Sequence, residues 1–406
     1  MRGVGIGRSS TDAGHQRRRK AACRVSLATL ALAGLVAWLG PRAGAAEPVT
    51  TSVPAGVRAV PSVAGPIALL PFESLGNGGA PLADIRAALR RALEARGIPL
   101  LDDAVLEEFM RRHRLRYTGG LAAESGRALA EETGAGGVLV TSVDLYNGAP
   151  PMIALTARLI EAGGGTRILW MDGAGQSGDE APGFLGLGRI DDPIVLRDQV
   201  LARLAGSLAA RMTDPDRRSG EGTGERIRRR FTPSIAFHAP RRDQDLHRTP
   251  RIAVLPLANE TAMRHADEIV TLQILRYLAA TDRVEVIEPG LVREALLRSR
   301  LIQDEGLSVP QADLLRALLG VDIALFGEVT QYLETGSGVP EPEIGFSVRA
   351  IDTATRQVVW SSISHRRGED GVVFFGLGRV PTARRLSARL AQALVGTILA
   401  SLEDVS

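Results

Sequence analysis

The sequence predicts an α/β protein with mixed sheets, built twice in tandem, and three observations carry that expectation. Phe184-Leu-Gly-Leu-Gly-Arg-Ile190 recurs as Phe374-Phe-Gly-Leu-Gly-Arg-Val380, each time ahead of a long apolar-periodic helix. Pro66-Ile-Ala-Leu-Leu-Pro-Phe72 recurs as Arg251-Ile-Ala-Val-Leu-Pro-Leu257, and Gly134 matches Gly320, Arg158 matches Arg349 and Trp170 matches Trp360. Within each copy, short apolar runs alternate with helical periodicity in the same order. A chain of 406 residues accommodates two such units with a core in each.

In copy one, Ile67 to Pro71 reads as an apolar strand closed by proline. Leu82, Ile85, Leu89 and Leu93 follow at helical spacing, and Gly97 ends that helix. Ile98 to Leu101 reads as a second strand, then come helices over Ala104–His113 and Ala122–Thr133. Gly137–Leu145, Met152–Ile160 and Thr166–Asp172 read as three successive strands, with turn signals at Asn147-Gly148 and Gly163–Gly165. A helix over Pro193–Met212 closes the unit. Copy two repeats the order: a strand at Arg251–Leu257, a helix through Ile269, Leu272 and Leu278, a strand at Val284–Ile287, helices near Leu291 and Leu314, three strands, and a helix over Ala383–Leu402. The expectation is β-α-β-α-α-β-β-β-α twice, each copy a mixed sheet covered by helices.

The remaining stretches set the boundaries. Arg17-Arg-Arg-Lys20, the apolar run Val25–Leu39 and Ala43-Gly-Ala-Ala46 have the order of a secretory signal, so residues 1–46 are expected to be removed during export to the periplasm. An uncleaved inner-membrane anchor is the alternative. Cys23 precedes the apolar run, where a lipid-bearing cysteine would follow it, and an exported chain cleaved there has neither disulfides nor cysteine chemistry. Residues 47–64 read as an extended tether, 65–212 as the first domain, 213–249 as a flexible linker with the basic run Arg226–Arg230, and 250–406 as the second domain. The functional readings of that basic run are a peripheral membrane contact through phospholipid headgroups or contact with an acidic partner, and the structural reading is a solvated charge run. The formal charge of +3 includes Arg2, Arg8, Arg17, Arg18, Arg19, Lys20, Arg24 and Arg42 of the leader region, so the rest of the chain is acidic on balance and makes no case for nucleic-acid binding.

Several runs carry a family resemblance. Ile252-Ala-Val-Leu-Pro-Leu257 with Asn259, Val284-Glu-Val-Ile-Glu288, Leu319-Gly-Val-Asp-Ile-Ala-Leu-Phe-Gly-Glu-Val329 and Ile351-Asp-Thr-Ala-Thr-Arg-Gln-Val-Val-Trp360 resemble the bacterial envelope domain shared by the curli-secretion lipoprotein CsgG, the lipoprotein activators of penicillin-binding proteins and the amino-terminal domain of TolB. Copy one carries the resemblance more faintly. It implies a CsgG/TolB-like domain in tandem and a protein that binds other envelope proteins. A lipobox is missing, and the segments after Val143 and Val329 are too short and proline-bearing for the long hairpins of a pore.

The search for chemistry points the same way. His15, His113, His238, His247, His265 and His365 stand at no metal-ligand spacing, and Gly175-Gln-Ser-Gly178 is not a nucleophile elbow. The polar positions shared by the copies are Arg158 with Arg349, Asp179-Glu180 with Glu369-Asp370, and Arg189 with Arg379, a set without histidine or nucleophile. The candidate recognition residues are the turns Gly186, Gly188 and Arg189, and Gly376, Gly378 and Arg379, where glycines at a helix start can present amides to an anion. The competing structural reading has Phe184 or Phe374 packed beneath the last helix and the arginine paired with Asp179 or Glu369. Trp170 and Trp360 are expected as core anchors. The sequence thus reads as a non-catalytic periplasmic adaptor or assembly factor without metal or cofactor, with either self-association or pairing of its two copies. A ligand-binding or hydrolytic protein using the Gly-Leu-Gly-Arg turns, and a membrane-anchored subunit of an oligomer, are the alternatives.

Overall fold

The computed structural model describes residues 63–403 apart from 77, 117, 164, 166, 180–187, 215–229, 240–248, 299–306, 336–340, 371 and 373–377. The leader and nearly all of the tether lie outside the described residues. Copy one runs β1 (Ile67–Leu69), β2 (Glu73–Ser74), α1 (Leu82–Glu94), α2 (Asp103–Arg112), α3 (Ala123–Thr133), β3 (Gly137–Gly148), β4 (Pro151–Glu161), β5 (Ile168–Ser177) and α4 (Pro193–Thr213). Copy two runs β6 (Ser234–His238), β7 (Arg251–Val254), β8 (Ala258–Asn259), α5 (Ala266–Ala279), β9 (Glu285–Val286), α6 (Pro289–Arg298), α7 (Val309–Leu319), β10 (Ile323–Leu333), β11 (Glu343–Asp352), β12 (Gln357–Arg367) and α8 (Ala383–Glu403). The fold is α/β with two mixed sheets. In one, β1 pairs in parallel with β3, and β3, β4 and β5 follow antiparallel. In the other, β7 pairs with β10, and β10, β11 and β12 follow in the same way.

Local chemistry accounts for the shared geometry. Gly134 and Gly320 end α3 and α7 with φ of 70° and 61°, a left-handed conformation that a side chain resists, and each turns the chain into the central strand. Asp102 and Asp192 cap α2 and α4 by accepting backbone N–H groups, and Ser308 with Gln311 forms a capping box on α7. Trp170 and Trp360 are both buried, each in the strand that packs under its closing helix.

Three expectations need correction. The strand expected at Ile98–Leu101 is reduced to a single parallel bridge between Leu100 and Ile67, because Pro99 lacks an N–H to extend the ladder. Part of the segment expected as a flexible linker is built into the fold: Phe231 is buried, and Ser234–His238 pairs antiparallel with β12 as an edge strand. Finally, the copies are not independent: besides a cluster of its own, copy one shares a core with copy two. Residues 58–406 form one compact unit. Ile67, Leu69, Leu139, Leu155 and Leu159 pack under α1 and α4. The opposite face of that sheet, with Val138, Val140, Ile160 and Met171, belongs to a core that also holds Ile269, Leu272 and Leu275 of α5 and Leu386, Leu390 and Leu394 of α8. The helices α5 and α8 are therefore apolar on two sides, one for each sheet. A separate cluster under α6 and α7 holds Ala253, Leu255, Ala324 and Phe326.

Candidate functional site

Where the copies meet, three buried or half-buried ion pairs punctuate the apolar core. Arg158 in β4 donates from Nε and Nη2 to Glu288 Oε1 at 3.2 and 3.0 Å, and from Nη2 to the Gly119 carbonyl. Both side chains are all but inaccessible, at 5% and 1% exposure. Glu288 also accepts the N–H of Leu291, so it starts α6 while it anchors Arg158. Arg384, in the first turn of α8, donates to Asp144 Oδ2 at 3.3 Å and to the Leu155 carbonyl at 3.1 Å. Thr156 and Ser142 supply the remaining donors to Asp144. Arg276 of α5 donates to Asp172 Oδ1 at 2.6 Å, and Ser207 donates to the other oxygen. Burial pushes the carboxyls of Asp144 and Glu288 above the ordinary range, and the guanidinium facing each pulls back. Gly173 makes the approach of Arg384 feasible, since a Cβ there would stand 2.3 Å from Nη2.

Among the described residues, the same face of the second sheet is covered over only part of its area. Ala324, Phe326 and Ile351 lie under α6 and α7, but farther along the face Arg349 and Ile363 are exposed and Glu328, Ser347 and Ser361 are half-buried. Arg349 sits where copy one has Arg158. Ile363 is 55% exposed, Phe237 of the edge strand 47% and Val358 37%. All five residues of β6 are exposed, and among the described strands it pairs only with β12. Sequence reasoning missed this surface because it assigned the edge strand to a linker. The alternation in Ser234-Ile-Ala-Phe-His238 was the available signal.

Of the two Gly-Leu-Gly-Arg segments, Gly188, Arg189, Gly378 and Arg379 are among the described residues. Gly186, Gly376, Phe184 and Phe374 lie outside the described residues. Gly188 and Arg189 are exposed, and Arg189 Nε donates to Asp191 at 2.6 Å rather than to Asp179, whose carboxylate accepts from Ser177. In copy two, Arg379 stands 3.3 Å from Glu369, and Gly378 has φ of 95° with its carbonyl accepting from Arg230. A cleft of about 520 Å³ beside the first turn is lined by Pro150, Gly178, Asp179, Arg189 and Asp191. Its charged lining carries two carboxylates against one guanidinium. A second glycine pair, Gly178 and Gly368, bonds to a residue shortly before each closing helix, Ile190 or Val380. The Gly178 N–H donates to the Pro151 carbonyl while the Gly178 carbonyl accepts the Ile190 N–H, and Gly368 does the same with the Pro342 carbonyl and the Val380 N–H.

His113, His265 and His365 each face a single glutamate, Glu132, Glu268 and Glu343 respectively. Among the described residues no group of three His, Cys, Asp or Glu side chains is placed to hold a metal ion, and no helix is long and apolar enough to cross a membrane.

No protein-family model matches the chain, and no curated protein matches it. Among solved structures, the PelC dodecamer from Paraburkholderia phytofirmans is similar at 19% identity, with 40% of this chain and 96% of that chain covered and a TM-score of 0.27. Lipoprotein GNA1162 from Neisseria meningitidis is similar at 18% identity over 38% of this chain and 99% of that one, with a TM-score of 0.26. The LpoB C-terminal domain from Escherichia coli is similar at 16% identity over 30% of this chain and 87% of that one, with a TM-score of 0.22.

Proposed function

We propose that the chain is a non-catalytic adaptor of the bacterial envelope, which binds other envelope proteins through the uncovered sheet face of copy two. One observation carries this reading: the two copies share a fold, yet the sheet face that is buried in one is left open in the other. Open sheet faces bearing exposed Ile, Phe and Val beside an exposed arginine are costly in a chain that stays alone. The edge strand β6 adds a row of backbone groups to the same surface, which suits pairing with an extended segment. The resemblance of the copy-two strands to the envelope domain, and the signal-like order of residues 1–46, support a partner in the envelope.

Lysine occurs only at Lys20, so amine crosslinkers would miss the face altogether. A photo-crosslinking amino acid placed at Ile363 or Phe237 reaches it directly, with Arg111 on α2 as the control position, its side chain 74% exposed. Expressed in the native cell, the first two positions are expected to give discrete envelope-protein adducts and the control none. Adducts from all three positions alike, or from the control alone, would reject the face as the binding surface.

A further inference from the structure

We propose that the chain associates head to tail with a second copy of itself, the α1/α4 layer of one molecule covering the open copy-two sheet face of the next. The inference rests on reading that face as a binding surface and names its occupant.

The seam inside the molecule supplies the geometry. It joins unlike surfaces, a sheet face of copy one and a helix layer of copy two, so among the described residues each molecule retains a partly open sheet face and a helix layer of the types already joined. Repeating such a contact between molecules extends into a ring or a filament.

The residues at the unused surfaces match in a coordinated way. Asp102 occupies the place of Glu288, both following the matched strand segments and starting the next helix, and Arg349 occupies the place of Arg158. The ion pair of the seam can therefore be remade between molecules with the same charge on each side. Around Arg384 the exchange runs through three positions at once. Ile194 is the second residue of α4 as Arg384 is of α8. Ile363 pairs with Ser347 as Gly173 pairs with Thr156. Thr330 sits at the strand irregularity between Val329 and Gln331, as Asp144 does between Val143 and Leu145. A guanidinium, its carboxylate and the glycine that admits it are thus replaced by two isoleucines and a threonine, on opposite sides of the contact. Ile194 is 57% exposed and Ile363 55% exposed, and the contact would bring the two together. At the positions of Ile269 and Leu272 in α5, α1 carries Asp84 and Ala87. The contact between molecules is accordingly less apolar than the seam and reversible.

Complementation between two surface variants of the full chain tests this. Ile363→Asp spoils only the sheet face and Ile194→Asp only the helix layer, and circular dichroism with thermal melting checks that both remain folded. In mass photometry and sedimentation, the parent chain is expected to form concentration-dependent species larger than a dimer. Each variant alone is expected to stay monomeric. An equimolar mixture is expected to stop at a heterodimer, because each partner keeps one intact surface. A parent chain monomeric at every soluble concentration, or variants that still self-associate, would overturn the proposal, as would a mixture that gives no dimer. If the parent stays monomeric while a probe at Ile363 captures a different envelope protein, self-association fails and the adaptor reading stands.

Discussion

Removing Arg158 should destabilise both copies at once, because the group it leaves behind belongs to the other copy. Arg158→Ala deletes both donors to Glu288 Oε1 and the donor to the Gly119 carbonyl. Glu288, with a side chain 1% exposed, then keeps only backbone donors, so its charge is left buried without a counter-ion. Breaking a buried pair in this way costs about 3–5 kcal/mol, a large share of the roughly 5–15 kcal/mol that holds a typical domain folded. Replacing both members by apolar residues of similar volume, as Arg158→Met with Glu288→Leu, removes the stranded charge and should recover most of the loss. Tryptophan fluorescence during urea unfolding provides the assay, since Trp170 reports copy one and Trp360 copy two once Trp38 is changed to Phe. Single-tryptophan versions of the parent should unfold in one coincident transition, and Arg158→Ala should move both midpoints down together. A shift of the Trp170 transition alone, with Trp360 unmoved, would refute the argument and restore two independently folding halves.

Other changes probe the turns, a buried carboxyl and the leader. Adding a Cβ at Gly178 or Gly368 brings it to 2.1 Å from the Ile190 carbonyl oxygen or 2.6 Å from that of Val380, so Gly178→Ala and Gly368→Ala should each lower stability by about 1–3 kcal/mol in urea titrations. Arg189→Ala and Arg379→Ala, which remove exposed pairs, should cost no more than ~1 kcal/mol and leave crosslinking at Ile363 intact. Glu334 accepts the N–H of Ala383 at the start of α8, and burial pushes its carboxyl up to about 7. The folded state therefore holds this proton more tightly than the unfolded chain: the contribution to stability is present below pH 4.5 and is lost as pH rises to about 7. The shift corresponds to roughly 3 kcal/mol at most, so melting of Glu334→Gln should lack this part of the pH dependence, and a variant that tracks the parent at every pH would count against it. Amino-terminal sequencing of exported protein should begin at or next to Glu47, whereas intact chain recovered only in detergent would support an anchor.

The order of elements was legible because each copy writes it in local patterns: apolar strand runs, helical spacing, and turn glycines such as Gly134 and Gly320. The seam was not, because its partners are far apart in sequence. Arg158 and Glu288 are separated by 130 positions and Asp144 and Arg384 by 240, and no local periodicity links such residues. One signal for it was nevertheless present. The buried residues of α1 form one stripe, Ile85, Ala88, Leu89 and Leu93, whereas α5 buries Ile269, Val270, Leu272, Ile274, Leu275 and Leu278 around its circumference. A helix apolar on all sides must be covered on all sides, and one sheet cannot do that. The glycines that matter at the turns were overlooked for a different reason: Gly178 and Gly368 are required by close approach of backbone, which composition does not announce.

Comparison of the copies separates what the fold requires from what the place in the stack requires. Trp170 and Trp360, Gly134 and Gly320, and Gly178 and Gly368 are the same in both, and each acts inside its own copy. Among the residues that differ, Arg384, Gly173 and Asp144 face the other copy across the seam, whereas Ile194, Ile363 and Thr330 at the matching positions are exposed. The arginine, its carboxylate and the space that admits it are absent together, and isoleucines stand where the arginine and the glycine were. In the proposed head-to-tail contact the two surfaces bearing these isoleucines meet, and the exposed Ile194 and Ile363 bury each other where the seam holds an ion pair.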